Sequence, residues 1–141
     1  MDAGDIYRHD RFYRDPEFGA ILAKYLILLA PNRSGDWVAR LLTSRENFRP
    51  RNPPCFHGDP YPGYFLGVPG EPLLVDTWVD LRAFADLDSD DASELIARGI
   101  MNRVARLPIA VLIEVLDCTA GAADTTVEQE CALRDQLARH R

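Results

Sequence analysis

A short apolar segment of this chain ends in three consecutive side chains that can hold an anion. The segment WVARLL, residues 37 to 42, is followed at once by Thr43, Ser44 and Arg45, which offer two hydroxyls and a guanidinium. Hydroxyls also cap turns, so the same residues could simply close a strand. Lys24 begins a second apolar segment, KYLILLA, and adds an ammonium. Such a set of charges and donors would suit a phosphate.

The two apolar segments are expected to form an antiparallel hairpin. Residues 24–30 and 37–44 flank PNRSGD, a stretch rich in turn-forming residues. In an antiparallel pair the start of one strand lies opposite the end of the next. The hairpin therefore predicts that Lys24 meets Thr43 and Ser44 at one edge of a sheet.

Histidine is the natural candidate for proton transfer, because it titrates near neutral pH without a large shift. His57 lies in the loop CFHGDP, where Asp59 could orient it, and we rank His9 and His140, near the ends of the chain, below it. Cys55 precedes His57 by two residues, and an extended segment would place both side chains on one face. A thiol enzyme built on this pair is therefore a separate hypothesis.

The charge distribution favours an anionic partner for one part of the chain. The net charge is −6, but residues 24–51 contain six basic and two acidic residues, whereas residues 71–135 contain 14 acidic and five basic ones. Within or beside the basic part, Arg33, Arg45 and Arg49 are candidate contacts to nucleic acid. Tyr64 could stack on an unpaired base.

Length, composition and cysteine spacing limit the remaining possibilities. A chain of 141 residues with 47% hydrophobic residues suits one compact domain. Its three cysteines show no CxxC spacing and are odd in number, which argues against a zinc site and against a disulfide framework. The polar N-terminus and the lack of a long apolar run indicate a cytoplasmic protein without a membrane span.

The order of elements predicts strands first and helices afterwards. Residues 50–63 contain five of the ten prolines and should be irregular, and YFLGV and LLVDTWVDL should pair as strands beyond them. Start and stop signals predict helices over residues 89–99 and 108–121 and a third from about residue 125. In that third helix Thr125 and Glu128 have capping-box spacing, with Val127, Cys131 and Leu137 on its buried side.

Four motifs in this order resemble the MazF/PemK family of toxin endoribonucleases. They are GDIY at residues 4–7, the segment KYLILLA, the strand end LLTSR, and DTWVDLRAFADLD ahead of the closing helices. The similarity covers about residues 4 to 118, and the helix from about residue 125 would be an extension.

The resemblance implies an α+β fold, with an SH3-like barrel of antiparallel strands at about residues 4–87 and C-terminal helices at about 89–141. It implies a homodimer that cuts single-stranded RNA without a metal or cofactor and that binds a cognate antitoxin protein. The catalytic positions of the family fall on Lys24, Thr43 and Ser44, and Lys24 stands where the family commonly has arginine. Lysine offers a point charge in place of a planar fork.

A second interpretation keeps the same fold without catalysis. In this hypothesis the barrel is a module that binds nucleic acid or a protein partner, and Lys24 and the basic residues supply affinity only. The two interpretations differ in whether the chain cuts the RNA that it binds.

Overall fold

The computed structural model describes all 141 residues and has an α+β fold of seven strands and three helices. The strands are β1 (Asp5–Arg14), β2 (Ile21–Pro31), β3 (Trp37–Thr43), β4 (Cys55–Phe56), β5 (Gly63–Gly67), β6 (Thr77–Asp80) and β7 (Met101–Arg106). The helices are α1 (Ser89–Ala97), α2 (Ile109–Ala120) and α3 (Val127–Arg139). All strand pairs are antiparallel, in the order β4-β5-β6-β3-β2-β1-β7. The sheet is open, since β4 and β7 are separate edges that do not pair with each other.

The predicted hairpin is confirmed as β2 and β3. Its loop is held by Asn32, whose side-chain oxygen accepts hydrogen bonds from the backbone N–H groups of Ser34 and Asp36. Gly35 has φ +85°, a conformation that glycine adopts without steric cost. The loop sets the register, and Leu26 pairs with Leu41 near the other end of the hairpin.

The sheet buries apolar side chains on both faces, because successive residues of a strand point to opposite sides. One face packs on α2 and α3, with a core that includes Ile27, Leu29, Val38, Leu116 and Leu133. The other face packs on α1, with a smaller core that includes Tyr7, Leu26, Leu28, Ala92 and Met101. Lys24 alternates with Leu26 and Leu28, so its side chain belongs to the α1 face.

The expected order, with strands first and helices mostly after residue 87, is wrong for residues 101–106. These residues form β7, which lies between α1 and α2 in sequence and pairs with β1. The Arg106 Nε atom lies 2.6 Å from a carboxylate oxygen of Asp5, a buried residue at the start of β1. A six-residue strand that pairs only with the N-terminal strand carries little local signal, which explains the error.

Helix α3 begins one residue later than its sequence indicates. Its N-cap is Thr126, whose hydroxyl accepts the Gln129 N–H while the Gln129 side chain accepts the Thr126 N–H. The face of α3 that packs on the sheet contains Gln129 and Leu137. Val127 and Cys131, which we expected to be buried, lie on the opposite side of the helix and are exposed. Leu137 is buried as predicted.

A cap substitution tests this start of α3. We expect Thr126→Ala to lower the free energy of unfolding by about 1 kcal/mol, since it leaves the Gln129 N–H without its partner. Thr126→Ser keeps the oxygen and should unfold close to the parent. Urea denaturation of the three proteins measures the difference, and equal midpoints for Thr126→Ala and the parent would contradict this cap.

A buried arginine joins α3 to the sheet. The Arg40 side chain on β3 donates to the Ala39 carbonyl, to the Thr125 hydroxyl and to the Gln129 side-chain oxygen. Burial lowers its pKa, which Asp86 partly offsets. Arg40 therefore serves packing and is not part of a basic surface.

None of the three helices has the length and apolar character that a bilayer crossing requires.

Candidate nucleic-acid interface

Three polar residues lie in a row across β1, β2 and β3 on the α1 face of the sheet. His9 pairs directly with Lys24. The pairing of β2 with β3 ends at Leu26 and Leu41. Lys24 and Thr43 lie two residues beyond this pair on their strands, so alternation places both on the face of Leu26 and Leu41. Residues directly opposite each other in an antiparallel sheet share one face. We call His9, Lys24 and Thr43 the polar row.

Aromatic side chains surround two members of the polar row. The Phe12 ring meets the His9 ring edge-on, with 5.7 Å between centroids. The Lys24 ammonium lies 5.6 Å from the centre of the Tyr13 ring. Burial lowers the pKa of His9, partly offset by Asp10, so the imidazole favours its neutral form. The His9 Nδ1 atom accepts the Arg11 N–H at 3.2 Å, so the neutral ring carries its proton on Nε2.

The residues at the end of β3 keep free donors. The Thr43 hydroxyl accepts the Arg45 N–H at 3.1 Å, which leaves its own hydrogen available to a ligand. This bond is the turn-capping contact that hydroxyls commonly make. Ser44 and Arg45 are exposed, and the Arg45 guanidinium forms no salt bridge. An anion near Thr43 would thus meet two hydroxyls and unpaired positive charge.

The polar row continues into an aromatic pair on the neighbouring strands. Thr43 pairs with Trp78, and Trp78 pairs with Phe65. The guanidinium of Arg51 lies over both rings, 5.2 Å from that of Trp78 and 5.8 Å from that of Phe65. Trp78 is only 1% exposed and Arg51 is paired with two carboxylates, so Phe65 is the one ring of this pair with partly exposed surface.

A cavity of about 350 Å³ lies beside the polar row. Its lining includes Leu41, two residues before Thr43, and Phe84, which stacks on Phe12. It also includes Asp80 and Arg82, whose charged groups approach to 2.6 Å. Burial alone would raise the pKa of Asp80, but the hydrogen bonds from Arg82 hold it below its ordinary value. The Asp80 carboxylate is thus ionised, and the adjacent Arg82 guanidinium balances its charge.

His57 does not join Thr43, contrary to the arrangement expected from the sequence. It follows β4, and β5 and β6 lie between that strand and β3. The His57 ring lies against the end of α2, where Nε2 is 2.8 Å from the Cys118 carbonyl oxygen. Because α2 covers the opposite face from the polar row, the sheet separates the two histidines. Asp59, proposed to orient His57, forms no hydrogen bond with it.

Two of the four predicted RNA contacts lie inside the protein. Arg49 is only 1% exposed and donates to the carbonyls of Pro62 and Arg45. Tyr64 is 4% exposed and donates a short hydrogen bond to Glu114. Their burial conflicts with the prediction that they contact RNA, since neither offers a face to a base.

The other two predicted RNA contacts are exposed but lie apart. Arg33 is in the β2–β3 loop, at the opposite end of the hairpin from Lys24. Arg45 is beside the polar row, two residues beyond Thr43. Of the four predicted RNA contacts, only Arg45 therefore lies beside the phosphate site that the sequence predicts.

Phe48 is a feature of this region that the sequence reasoning missed. It is 95% exposed, and it and Asn47 have φ values of 64° and 45°. Positive φ is uncommon for residues other than glycine and often marks functional segments. In the sequence, Phe48 is recognisable only as an aromatic residue within a turn-forming loop, five residues after Thr43.

We expect Phe48→Ala to weaken binding of single-stranded RNA about tenfold, because an exposed ring can stack on a base. Its folding stability should stay within about 1 kcal/mol of the parent, since the ring is exposed. Val127→Ala removes another exposed apolar side chain, on α3, and is the control. Fluorescence anisotropy with labelled RNA measures the affinities, and equal affinity for Phe48→Ala and the parent would remove Phe48 from the interface.

Cys55 and Cys118 form a disulfide, whereas the sequence argued against a disulfide framework. The bond joins β4 to the last turn of α2 across 63 residues of sequence. Cys131 is the one free cysteine and is exposed. The expected proximity of Cys55 and His57 is present, with 3.4 Å between Sγ and Nε2.

Comparison of the chain with family models, with curated proteins and with solved structures gives no match.

Proposed function

We propose that this chain is an endoribonuclease of the MazF/PemK toxin type, which cuts single-stranded RNA without a metal. The observation that carries the proposal is the polar row of His9, Lys24 and Thr43 on three adjacent strands. It combines a base, a fixed cation and a hydroxyl donor on one face. In this proposal the open antiparallel sheet takes the place of the SH3-like barrel of that family, with α1, β7 and α2 as its closing elements.

The proposed reaction is transfer of the scissile phosphate from the 5′-oxygen to the neighbouring 2′-oxygen of RNA. His9 Nδ1 exchanges the Arg11 N–H for the 2′-hydroxyl and takes its proton, and the 2′-oxygen then attacks phosphorus and forms the new P–O2′ bond. Lys24, Thr43 and Arg45 donate to the phosphate oxygens as negative charge develops on them. The Lys24 ammonium protonates the departing 5′-oxygen as the old P–O bond breaks. The products are a 2′,3′-cyclic phosphate and a free 5′-hydroxyl.

The partners in this proposal follow from the same family resemblance. The chain would act as a homodimer in the cytoplasm, where RNA is available, and an antitoxin protein would inhibit it. Exposed apolar side chains beside β5 and β6 offer surface for either contact, namely Val68, Leu74 and Val75. Apolar groups exposed in one stretch often mark contact surfaces.

A cleavage assay tests the proposed activity. Purified protein is incubated in EDTA with a mixed-sequence single-stranded RNA and with DNA of the same sequence. We expect cleavage of the RNA to products ending in a 2′,3′-cyclic phosphate, and intact DNA, because DNA has no 2′-hydroxyl. Cleavage of DNA at the same rate, or no cleavage of a random RNA pool, would refute the endoribonuclease.

The polar row also supports the non-catalytic alternative, because its cations and nearby aromatic rings suit binding alone. If the parent binds RNA and cuts none, and Lys24→Ala weakens binding with a shallower salt dependence, the chain is a binding module. Thr43→Val removes a hydroxyl donor at nearly constant volume and therefore distinguishes catalysis from binding. A lower cleavage rate indicates the endoribonuclease, and weaker RNA binding without any cleavage indicates the binding module.

A further inference from the structure

Cys55, His57 and Cys118 form a cluster that the proposed RNA chemistry does not use. Their ligand atoms all lie within 4.8 Å of one another. Cys55 and His57 come from β4 and the residue after it, and Cys118 comes from the last turn of α2. The cluster lies on the side of the sheet that α2 covers, away from the polar row.

We propose that the reduced chain binds one thiophilic divalent cation, with Zn²⁺ the best fit, through Cys55 Sγ, Cys118 Sγ and His57 Nε2. Formation of the Cys55–Cys118 disulfide releases the cation. The site is therefore a metal site in reducing conditions and a disulfide in oxidising ones. It is independent of the proposed RNA cleavage.

The distances from His57 to the two sulfurs match a tetrahedral site. The Nε2 atom lies 3.4 Å from Cys55 Sγ and 3.6 Å from Cys118 Sγ. Bond lengths of about 2.3 Å for Zn–S and 2.0–2.1 Å for Zn–N at a tetrahedral angle imply about 3.6 Å between sulfur and nitrogen. The same geometry requires the sulfurs to be about 3.8 Å apart, which they can reach only when the disulfide is reduced.

The surroundings keep the imidazole in position. A side chain at Gly121 would place its Cβ atom 3.2 Å from His57 Cε1, so this glycine leaves room for the ring. In the disulfide form Nε2 donates to the Cys118 carbonyl oxygen at 2.8 Å. In the metal form the Nε2 lone pair turns to the cation and Nδ1 carries the proton. The carbonyl end of α2 also favours positive charge there.

Exposure leaves one coordination position for water. Cys118 is buried, Cys55 is half-buried and His57 is exposed. Three protein ligands with an open fourth position define a site that a solvent molecule can complete. The two thiolates and one imidazole are soft and borderline donors, which favour Zn²⁺ over Mg²⁺ or Ca²⁺.

The redox step balances with a dithiol or a disulfide as the co-reactant. A dithiol reductant becomes a cyclic disulfide while the protein disulfide accepts two electrons and two protons. Binding of Zn²⁺ then displaces both thiol protons. In the reverse direction, glutathione disulfide oxidises the two thiolates, two molecules of reduced glutathione form, and Zn²⁺ leaves.

Cobalt titration of the full-length protein tests the site directly, because Co²⁺ bound by thiolates gives charge-transfer absorption in the near ultraviolet. Reduced parent and Cys131→Ser should each bind one Co²⁺ with this band, since Cys131 lies on α3 outside the cluster. Cys55→Ser and Cys118→Ser should lose the band, and His57→Gln should bind at least about tenfold more weakly. A reduced parent without the band, or a Cys131→Ser protein that lacks it, would overturn the proposal.

A measurement on the parent alone avoids the possibility that a variant fails to fold. Reduced protein is loaded with Zn²⁺, freed of excess metal and treated with glutathione disulfide in the presence of a chromophoric zinc indicator. We expect release of one Zn²⁺ per chain as peptide mapping detects the Cys55–Cys118 bond. Disulfide formation without zinc release would overturn the link between the two states.

Discussion

His9→Gln is expected to lower the rate of RNA cleavage by about 10²- to 10⁴-fold, the usual contribution of a positioned general base. Glutamine keeps a polar side chain of similar size but accepts no proton. His140→Gln, at the end of α3, is the matched control and should cut RNA as fast as the parent. If His9→Gln cuts normally while His57→Gln does not, the base is the loop histidine that the sequence favoured.

The lowered pKa of His9 predicts how cleavage depends on pH. The base must be neutral, and burial lowers the pKa of the imidazole from 6.5. As the pH falls, the rate should therefore persist below pH 6.5 and decrease only when His9 becomes protonated. A pH–rate profile at low RNA concentration reports this group in the free enzyme. An acid limb centred above pH 6.5 would contradict the assignment.

Loss of the Cys55–Cys118 disulfide should destabilise the fold by about 4 kcal/mol, because it closes a long loop in the unfolded chain. The bond spans 63 residues and fastens the short edge strand β4 to α2. The double substitution Cys55→Ala with Cys118→Ala is compared by urea denaturation in EDTA with the oxidised parent. Cys131→Ala removes the exposed free thiol and should match the parent. Equal midpoints for all three proteins would contradict a stabilising disulfide.

Local patterns predicted much of the fold. The β2–β3 hairpin, the β5–β6 pair and the three helices depend on turn residues, capping residues and periodicity within short stretches. The strand β7 was missed because its partner, β1, lies about 95 residues earlier.

The candidate site was predictable only in part. Lys24 and Thr43 could be assigned to neighbouring strands because both belong to one hairpin. The position of His9 opposite Lys24 could not be predicted, because it depends on the β1–β2 register, and the sequence between those strands gives no turn motif that fixes it. Cys55 and Cys118 meet only through the packing of α2 on the sheet. No spacing rule reveals such a contact.

Burial also decided which arginines could bind RNA. The count of basic residues in residues 24–51 includes Arg40 and Arg49, yet both side chains are buried and hydrogen-bonded to protein groups. Sequence alone does not separate an arginine that faces solvent from one that packs under a loop. The basic surface near Lys24 is therefore smaller than the charge count suggested.

The most direct test of the polar row compares two variants that each remove one positive charge from the same hairpin. Lys24 lies in the polar row, whereas Arg33 lies in the loop at the other end of β2 and β3. Rates of single-stranded RNA cleavage in EDTA are measured for the parent, Lys24→Ala and Arg33→Ala. We predict that Lys24→Ala loses about 10²-fold or more in rate, as for loss of a charged donor at a transition state, and that Arg33→Ala stays close to the parent. Equal rates for Lys24→Ala and the parent, or an equal loss in both variants, would contradict a catalytic site at His9, Lys24 and Thr43.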